Sequence, residues 1–125
     1  MCYTGSMFTT VGDLQYVAGL YEGEGSCGSY TNPNRSKQYR QYSAKIDMKD
    51  LFPLEEVLRI IGFGKIYGPY RKKNSTTIYY TYQIAKFEYV QAFLVMIFPW
   101  LSPRRQEQVC DCLDKEYLYE YDYIA

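Results

Sequence analysis

Two stretches of the chain alternate strictly between apolar and polar residues, which is the pattern of a β-strand with one buried face. They are Tyr39–Met48 and Thr77–Ala85. Their apolar positions are Tyr42, Ala44, Ile46 and Met48 in the first stretch, and Ile78, Tyr80, Tyr82 and Ile84 in the second. Strands of this kind need another layer to cover the apolar face, so they predict a layered fold.

The segments around these strands complete an ordered series of elements. Asp13 and Asp50 are predicted helix caps, because Asp side chains accept hydrogen bonds from the first free N–H groups of a helix. Helices are predicted over Leu14–Gly23, Leu51–Ile61, Phe87–Phe98 and from Ser102 to about Leu118, and further strands over Ser26–Asn32 and Lys65–Lys72. The third strand is expected to place Ile66 and Tyr70 inward. The series predicts an α+β fold: a four-stranded antiparallel sheet with helices on one face.

The 125 residues have room for one domain with a real core. We expect a flexible leader over 1–12, one domain over 13–118 and an acidic, tyrosine-rich tail over 119–125. No signal peptide is recognisable, and the longest apolar stretch, Ala92–Leu101, is too short to cross a bilayer. The four cysteines form no CxxC pair and are expected to be reduced thiols. These features predict a soluble intracellular protein, cytoplasmic or organellar.

The formal net charge of zero averages two unlike segments. Residues 28–86 carry eleven Lys or Arg against four Asp or Glu, whereas residues 107–125 carry one Lys against six acidic residues. Eight of the 16 tyrosines also lie between 28 and 86. A basic, tyrosine-rich middle is typical of a nucleic-acid-binding face; the alternative is a solvated sheet face with scattered charges. The strand pattern predicts the following outward residues: Tyr30, Asn32, Asn34, Tyr39, Gln41, Ser43, Lys45, Lys65, Tyr67, Arg71, Tyr79, Thr81 and Gln83.

The chain contains no His, which excludes imidazole bases, Ser-His triads and Cys/His zinc sites. Two acidic side chains lie close together in the chain at Glu22-Gly23-Glu24, where the first predicted helix ends. Residues two apart do not share a helix face, so the two carboxylates should diverge. A carboxylate at a helix C-terminus is disfavoured by the helix dipole, so Glu24 suggests a nearby cation. Mg²⁺ accepts such oxygen ligands and can activate water at a phosphodiester, although an acidic-glycine turn after a helix is more often only a turn.

The segment Tyr16–Ser26, YVAGLYEGEGS, closely resembles the signature of LAGLIDADG homing endonucleases. Similar likeness extends to Ile46–Asp50, to Leu58–Ile66 and to Phe98–Arg105, in the family's order along the chain. The resemblance covers roughly residues 13–115. It implies an αββαββα fold with a saddle-shaped sheet whose open face lies in the major groove of DNA.

The resemblance also implies an activity, a metal and a partner. One motif in a short chain implies a homodimer of an intron-encoded endonuclease that cuts both strands of a long, near-palindromic site. Glu24 matches the metal-binding acidic residue, with the Gly23 carbonyl as a further ligand of Mg²⁺, for which Mn²⁺ or Ca²⁺ can substitute. The dimer would pack through Tyr16, Gly19, Leu20 and Gly23. Arg35, Lys72 and Lys73 join the outward residues above as DNA contacts.

Two positions depart from the family pattern. Arg104 or Arg105 stands where the family often has an active-site Lys; an arginine cannot readily exchange a proton but can stabilise phosphate charge. Met48 replaces a frequent Gln that orders active-site water. These departures favour an alternative: a non-cleaving nucleic-acid-binding protein on the same scaffold, either an intron maturase that binds RNA or a DNA-binding regulator. A third alternative is an unrelated α+β protein-interaction module that uses its tyrosines.

Overall fold

The structure, a computed structural model, describes residues 9–31 and 40–124, with side chains described up to residue 114. Its helices are α1 (Val11–Glu24), α2 (Leu51–Ile61), α3 (Phe87–Ile97) and α4 (Pro103–Ile124), with a short 3₁₀ turn at Phe98–Trp100. Its strands are β1 (Gly25–Thr31), β2 (Arg40–Met48), β3 (Lys65–Arg71) and β4 (Ile78–Ala85). The predicted α+β order is confirmed.

The first helix begins at Val11, two residues before the predicted cap. Thr10 is the N-cap: its hydroxyl accepts a hydrogen bond from the Asp13 backbone N–H at 3.0 Å, and its own N–H donates to the Asp13 carboxylate at 3.2 Å. This reciprocal capping box satisfies two N–H groups that a helix start leaves free. The prediction that Asp13 caps the helix was therefore wrong by one turn. Thr9 also donates to the Ile60 carbonyl at 3.3 Å, which ties this segment to α2.

The sheet is antiparallel, with strand order β1–β2–β4–β3. The two alternating strands, β2 and β4, pair at its centre, and Ile46 lies opposite Tyr82. Their apolar positions face the helices as predicted, with Tyr42, Ala44, Ile46, Tyr82 and Ile84 all buried. Ile78, at the start of β4, is 44% exposed because it lies beyond the covering helices.

The helices close this inner face of the sheet. Val17, Ala18 and Tyr21 of α1 are buried, and the ring of Tyr21 meets that of Phe93 edge-on at 5.9 Å. Each large apolar side chain removed from water contributes about 1.5–3 kcal/mol. The other buried helix residues are Leu54, Val57, Ile60, Ile61, Val90, Leu94, Ile97, Val109 and Cys112.

The third strand departs from simple alternation. Its pairing with β4 shifts between Tyr67, opposite Thr81, and Tyr70, opposite Tyr79. Because an irregularity reverses the side-chain alternation, Tyr70 faces outward beside Tyr79, with ring centroids 5.5 Å apart. The prediction of an inward Tyr70 was wrong. Gly68, with φ of 121°, provides the left-handed backbone conformation within this shift.

The last helix runs to Ile124, beyond the predicted end near Leu118. The predicted leader falls largely on residues 1–8, which lie outside the described residues. No helix in the described part of the chain is long and apolar enough to cross a membrane.

Candidate active site and nucleic-acid interface

The transition from α1 to β1 occurs within a single residue, Gly25. Its N–H donates to the Tyr21 carbonyl and closes the helix. A Cβ at Gly25 would overlap the ring of Tyr21, so the chain can pass here only as glycine. The ring of Tyr21 is itself held in the core, where burial raises the pKa of its hydroxyl. The position of Glu24, one residue earlier, is thus set by close packing.

The carboxylate of Glu22 links the end of α1 to Ser102, the residue that precedes α4. Its two carboxylate oxygens accept hydrogen bonds from the Ser102 backbone N–H at 2.8 Å and from the Ser102 hydroxyl at 2.7 Å. The Ser102 backbone bond, its hydroxyl bond and nearby arginines outweigh desolvation and lower the pKa of Glu22. The predicted divergence of the two carboxylates is confirmed, because Glu24 lines a different surface.

Arg105 belongs to the same structural contact. Its Nε donates to the Glu22 carbonyl at 3.1 Å, its Nη1 donates to the Gln108 side chain at 3.1 Å, and its guanidinium lies 5.5 Å from the centre of the Tyr21 ring. It lines a pocket beside β1 and α4, separate from the pocket that Glu24 lines. Arg104, its neighbour, is exposed at the start of α4. No hydrogen bond or ion pair within the described residues joins Arg105 to Glu24.

Glu24 lines an open pocket of about 530 Å³ on the polar side of the sheet. Its exposed carboxylate makes no hydrogen bond or ion pair with any side chain that the structure describes. The pocket places it among groups from the end of β2 and the residues that lead into α2, from the turn after β3 and from the start of β4. These are Asp47, Met48, Lys49, Asp50, Lys72 and Tyr79.

These donors fit a hard divalent cation only in part. Carboxylate and backbone oxygen are the ligands that Mg²⁺ prefers, and Glu24 is an unpartnered carboxylate next to the Gly23 carbonyl. Within the described residues of one chain, however, no group of three or more acidic, His or Cys side chains is arranged to hold a metal. A complete coordination sphere therefore needs oxygen atoms from water, substrate or a second copy of the chain.

The side of the sheet that faces away from the helices is polar and rich in tyrosine. Tyr30 is 58% exposed, Tyr67 40% and Tyr70 44%, so their rings are open to a partner. The strand register places Tyr30 beside Gln41, and Lys45 beside Gln83. This outer face comprises Ser26, Gly28, Tyr30, Gln41, Ser43, Lys45, Asp47, Lys65, Tyr67, Tyr70, Tyr79, Thr81 and Gln83.

Most described residues of the predicted DNA-binding set lie on this face, and three do not. Because of the shift in β3, Arg71 lies opposite Ile78. It is therefore on the side of the sheet that Ile78, Tyr80 and Tyr82 share, which faces the helices. Lys72 and Lys73 lie at the turn between β3 and β4, where Lys72 lines the pocket of Glu24. Asn32, Asn34, Arg35 and Tyr39 lie outside the described residues.

Sequence reasoning missed Tyr70 as a member of the outer face, because nothing in a period-2 pattern signals the shift in pairing. Asp47 lies on the outward side of β2, as the alternation of that strand predicts, but it was not among the predicted DNA contacts. Its carboxylate accepts a hydrogen bond of 2.6 Å from the Thr81 hydroxyl, directly across the sheet.

Helix α1 has two contrasting sides. Its buried side, Val17, Ala18 and Tyr21, packs on the chain's own core. Its open side carries Tyr16, 42% exposed, together with Gly19 and Gly23, where an added Cβ would have no atom within 4 Å. Leu20 lies between the two sides and is half-buried. The predicted dimer residues thus share a surface that the described part of the chain leaves uncovered.

No family model and no curated protein matches this sequence. Solved structures do match. One is the homing endonuclease I-CvuI, determined with a DNA target that was not cleaved in the presence of Mg: 18% identity, TM-score 0.67, covering 84% of this chain and 68% of that chain. Another is the group I intron-encoded homing endonuclease I-CeuI, complexed with DNA: 17% identity, TM-score 0.68, covering 91% of this chain and 58% of that chain.

The LAGLIDADG meganuclease I-AabMI, bound to uncleaved DNA, matches at 16% identity and a TM-score of 0.66, covering 88% of this chain but 38% of its own. This chain has the LAGLIDADG homing endonuclease fold. In that fold the signature-like segment Tyr16–Ser26 forms most of α1 and the first residues of β1. At such low identities the likeness establishes the LAGLIDADG architecture, and the site chemistry depends on the residues described above.

Proposed function

We propose that the protein is a metal-dependent, sequence-specific DNA endonuclease that acts as a homodimer. The observation that carries the proposal is the contrast at the end of α1. Glu22 makes two hydrogen bonds to Ser102, whereas the carboxylate of Glu24 is exposed and unpartnered at the edge of the outer face. A carboxylate held in place by close packing and left without an internal partner is suited to an external ligand.

The outer face supports duplex DNA as the partner. Lysines there can neutralise phosphates, while amide and hydroxyl groups such as those of Gln41 and Gln83 can read base edges. DNA is the molecule bound in the similar structures of I-CvuI and I-CeuI. The segment from 28 to 86, which forms most of this face, carries the excess of basic residues.

The open side of α1 supports the proposed homodimer. An isologous interface buries the same surface of both copies, and the bare backbone at Gly19 and Gly23 would let two α1 helices approach closely. Such an arrangement would bring two copies of Glu24 near the symmetry axis. It would supply the additional carboxylate that a single chain lacks.

For the cleavage step, Glu24 and the Gly23 carbonyl would hold Mg²⁺, which supplies Lewis acidity and an activated water at a phosphodiester. Lys49 and Lys72, in the same pocket, carry positive charge toward the position of a phosphate. Arg105 would act at a distance, by holding the carbonyl of Glu22 and hence the end of α1. The exposed Arg104 would contact a phosphate directly.

The test begins with selection of bound duplexes from a random library in EDTA, followed by incubation of the selected duplexes with Mg²⁺. We expect cuts in both strands, none in EDTA, and a protein of twice the chain mass in sedimentation. The logarithm of the affinity should fall with the logarithm of salt, with a slope of about −0.9 per neutralised phosphate. Selected duplexes that stay intact in both Mg²⁺ and Mn²⁺ would refute the nuclease assignment.

That negative result would favour the second candidate, a non-cleaving nucleic-acid-binding protein. Two observations support it: Met48 lines the pocket of Glu24 with a side chain that cannot order water, and Arg105 is already bound to Glu22. Exposed Tyr30, Tyr67 and Tyr70 would suit stacking on unpaired bases of an intron RNA. Competition between the selected duplex and structured RNA separates these two forms of binding.

A further inference from the structure

We propose that Asp47 is a specificity-determining residue that selects cytosine in the major groove, an inference that rests on the proposed function. Asp47 is an exposed carboxylate on the outer face, where the proposed partner is itself a polyanion. A carboxylate there opposes phosphate binding, so its presence needs a favourable contact on the DNA. Base edges that donate hydrogen bonds provide one.

The carboxylate is oriented by its cross-strand neighbour. Thr81 is only 7% exposed and donates its hydroxyl proton to Asp47 Oδ1 at 2.6 Å. This bond uses Oδ1, and no hydrogen bond within the described residues uses Oδ2. Thr81 and Asp47 belong to the two central strands, which are the most firmly held part of the sheet.

The neighbours of Asp47 keep the local charge compatible with DNA. Lys45 lies two residues earlier on the same face, about 6.6 Å along the strand, and no described contact pairs the two side chains. Tyr67, Tyr79 and Gln83 complete the wall of a shallow pocket of about 240 Å³ around them. The pocket thus offers an acceptor beside a cation and an amide, which suits base edges better than a phosphate alone.

The chemistry of the base edges singles out cytosine. An ionised carboxylate only accepts hydrogen bonds. In the major groove cytosine presents only the N4 amino donor, whereas guanine presents two acceptors and thymine an acceptor and a methyl group. Adenine presents a donor next to the N7 acceptor, which repels a carboxylate. An amide at the same place would instead match adenine, because it donates and accepts.

The experiment compares sequences selected from a random duplex library in EDTA by wild type, Asp47→Asn, Asp47→Ala and Asp114→Asn. Asp114 is exposed on α4 and belongs neither to the outer face nor to the pocket of Glu24, so Asp114→Asn, which removes the same charge elsewhere, is the matched control. The amide oxygen introduced by Asp47→Asn can still accept the Thr81 bond, so that variant should fold. Thermal unfolding of each variant checks this.

We expect wild type to prefer cytosine at one position in each half-site by about 10-fold or more. Asp47→Ala should lose that preference, Asp47→Asn should move it to adenine, and Asp114→Asn should leave it intact. Thr81→Val should reduce the preference, and full retention in that variant would refute the orienting role of Thr81.

Identical base preferences in wild type and Asp47→Asn would overturn the inference. This includes the case in which Asp47→Asn binds the same sequences but no longer cuts, which would make Asp47 a participant in cleavage. A wild-type protein that selects no duplex at all would instead refute the proposed function, and the inference with it. The two failures are therefore distinguishable.

Discussion

The two sides of α1 use similar residues for opposite purposes. On the buried side, Tyr21 fills the core, and Glu22 at the end of the helix is fastened to Ser102. On the open side, a Cβ added at Gly19 or Gly23 would meet no described atom within 4 Å, and the carboxylate of Glu24 makes no hydrogen bond or ion pair with a described residue. Glu22 and Glu24 are two residues apart, yet one stabilises the fold and the other is free for an external ligand. Residue type alone therefore does not distinguish a carboxylate that stabilises the fold from one that is available to a ligand. The hydrogen-bond partners of each carboxylate make the distinction.

The largest expected effect tests the close packing that fixes this division. Gly25→Ala should lower the free energy of unfolding by about 3 kcal/mol, because the new Cβ overlaps the Tyr21 ring and the core must shift. Urea denaturation measures the loss. Gly28→Ala, three residues along the same strand, is the control, since its Cβ would have no neighbour within 4 Å. Equal stability of the two variants would break the structural account of the α1 end.

The second-largest expected effect distinguishes the role of Glu24 from that of Glu22. Glu24→Gln should reduce the rate of DNA cleavage by about 100-fold or more, since even partners behind a metal ligand contribute 10- to 100-fold. It should leave the unfolding free energy within about 0.5 kcal/mol of wild type. Glu22→Gln should keep most of the cleavage but lose stability. Single-turnover cleavage with Mg²⁺ and urea denaturation measure the two effects. Loss of stability in Glu24→Gln together with loss of cleavage in Glu22→Gln would contradict the roles given to the two carboxylates.

The open side can be tested without touching an acid. Gly19→Ala should raise the stability of the isolated chain by about 0.5–1 kcal/mol, because glycine costs a helix conformational entropy. It should weaken self-association by about 10-fold, the consequence of roughly 1.4 kcal/mol of overpacking between paired helices. Denaturation at low concentration and analytical ultracentrifugation measure the two effects. A variant that is more stable and associates as before would show that α1 does not form the interface.

The smallest expected effect is the pH dependence of the stability that the hydrogen bonds between Glu22 and Ser102 provide. The pKa of Glu22 lies below its ordinary value of 4.5 in the folded protein, chiefly through the Ser102 backbone bond. A lowered folded-state pKa adds stability above the unfolded-state value, and that stability is lost as pH falls through the folded pKa. The difference in unfolding free energy between wild type and Glu22→Gln should therefore be constant near neutral pH and shrink below about 4.5. A difference that grows on acidification would contradict the Ser102 contact.

Much of the fold could be predicted because its signals are local. The alternation in β2 and β4 and the apolar spacing of the helices follow directly from the period of each element, and the order of elements limits the topology. Thr10 was missed as a cap because Asp13 is an equally good cap in isolation. Tyr70 was missed because the shift in β3 results from pairing with another strand.

The sequence predicted where the candidate site lies. It did not predict which side chains there are bound to other parts of the chain and which are open to a ligand. The signature-like segment located Glu24, and strand alternation placed Lys45, Tyr67 and Gln83 on one face. Arg105, predicted with Arg104 as an active-site cation, contacts Tyr21 and the Glu22 carbonyl across more than eighty residues of sequence. Contacts at such separation leave no periodic trace along the chain.

The sequence by itself determined the elements, the inner and outer residues of β2 and β4, and the clustering of acids at the end of α1. Backbone propensity and side-chain periodicity act over a few residues, so one chain segment is enough to specify them. Only the tertiary structure decided that Glu22 bonds to Ser102, that Glu24 has no partner among the described residues and that Asp47 bonds to Thr81. Those assignments depend on distances between segments far apart in the chain, and folding alone sets these distances.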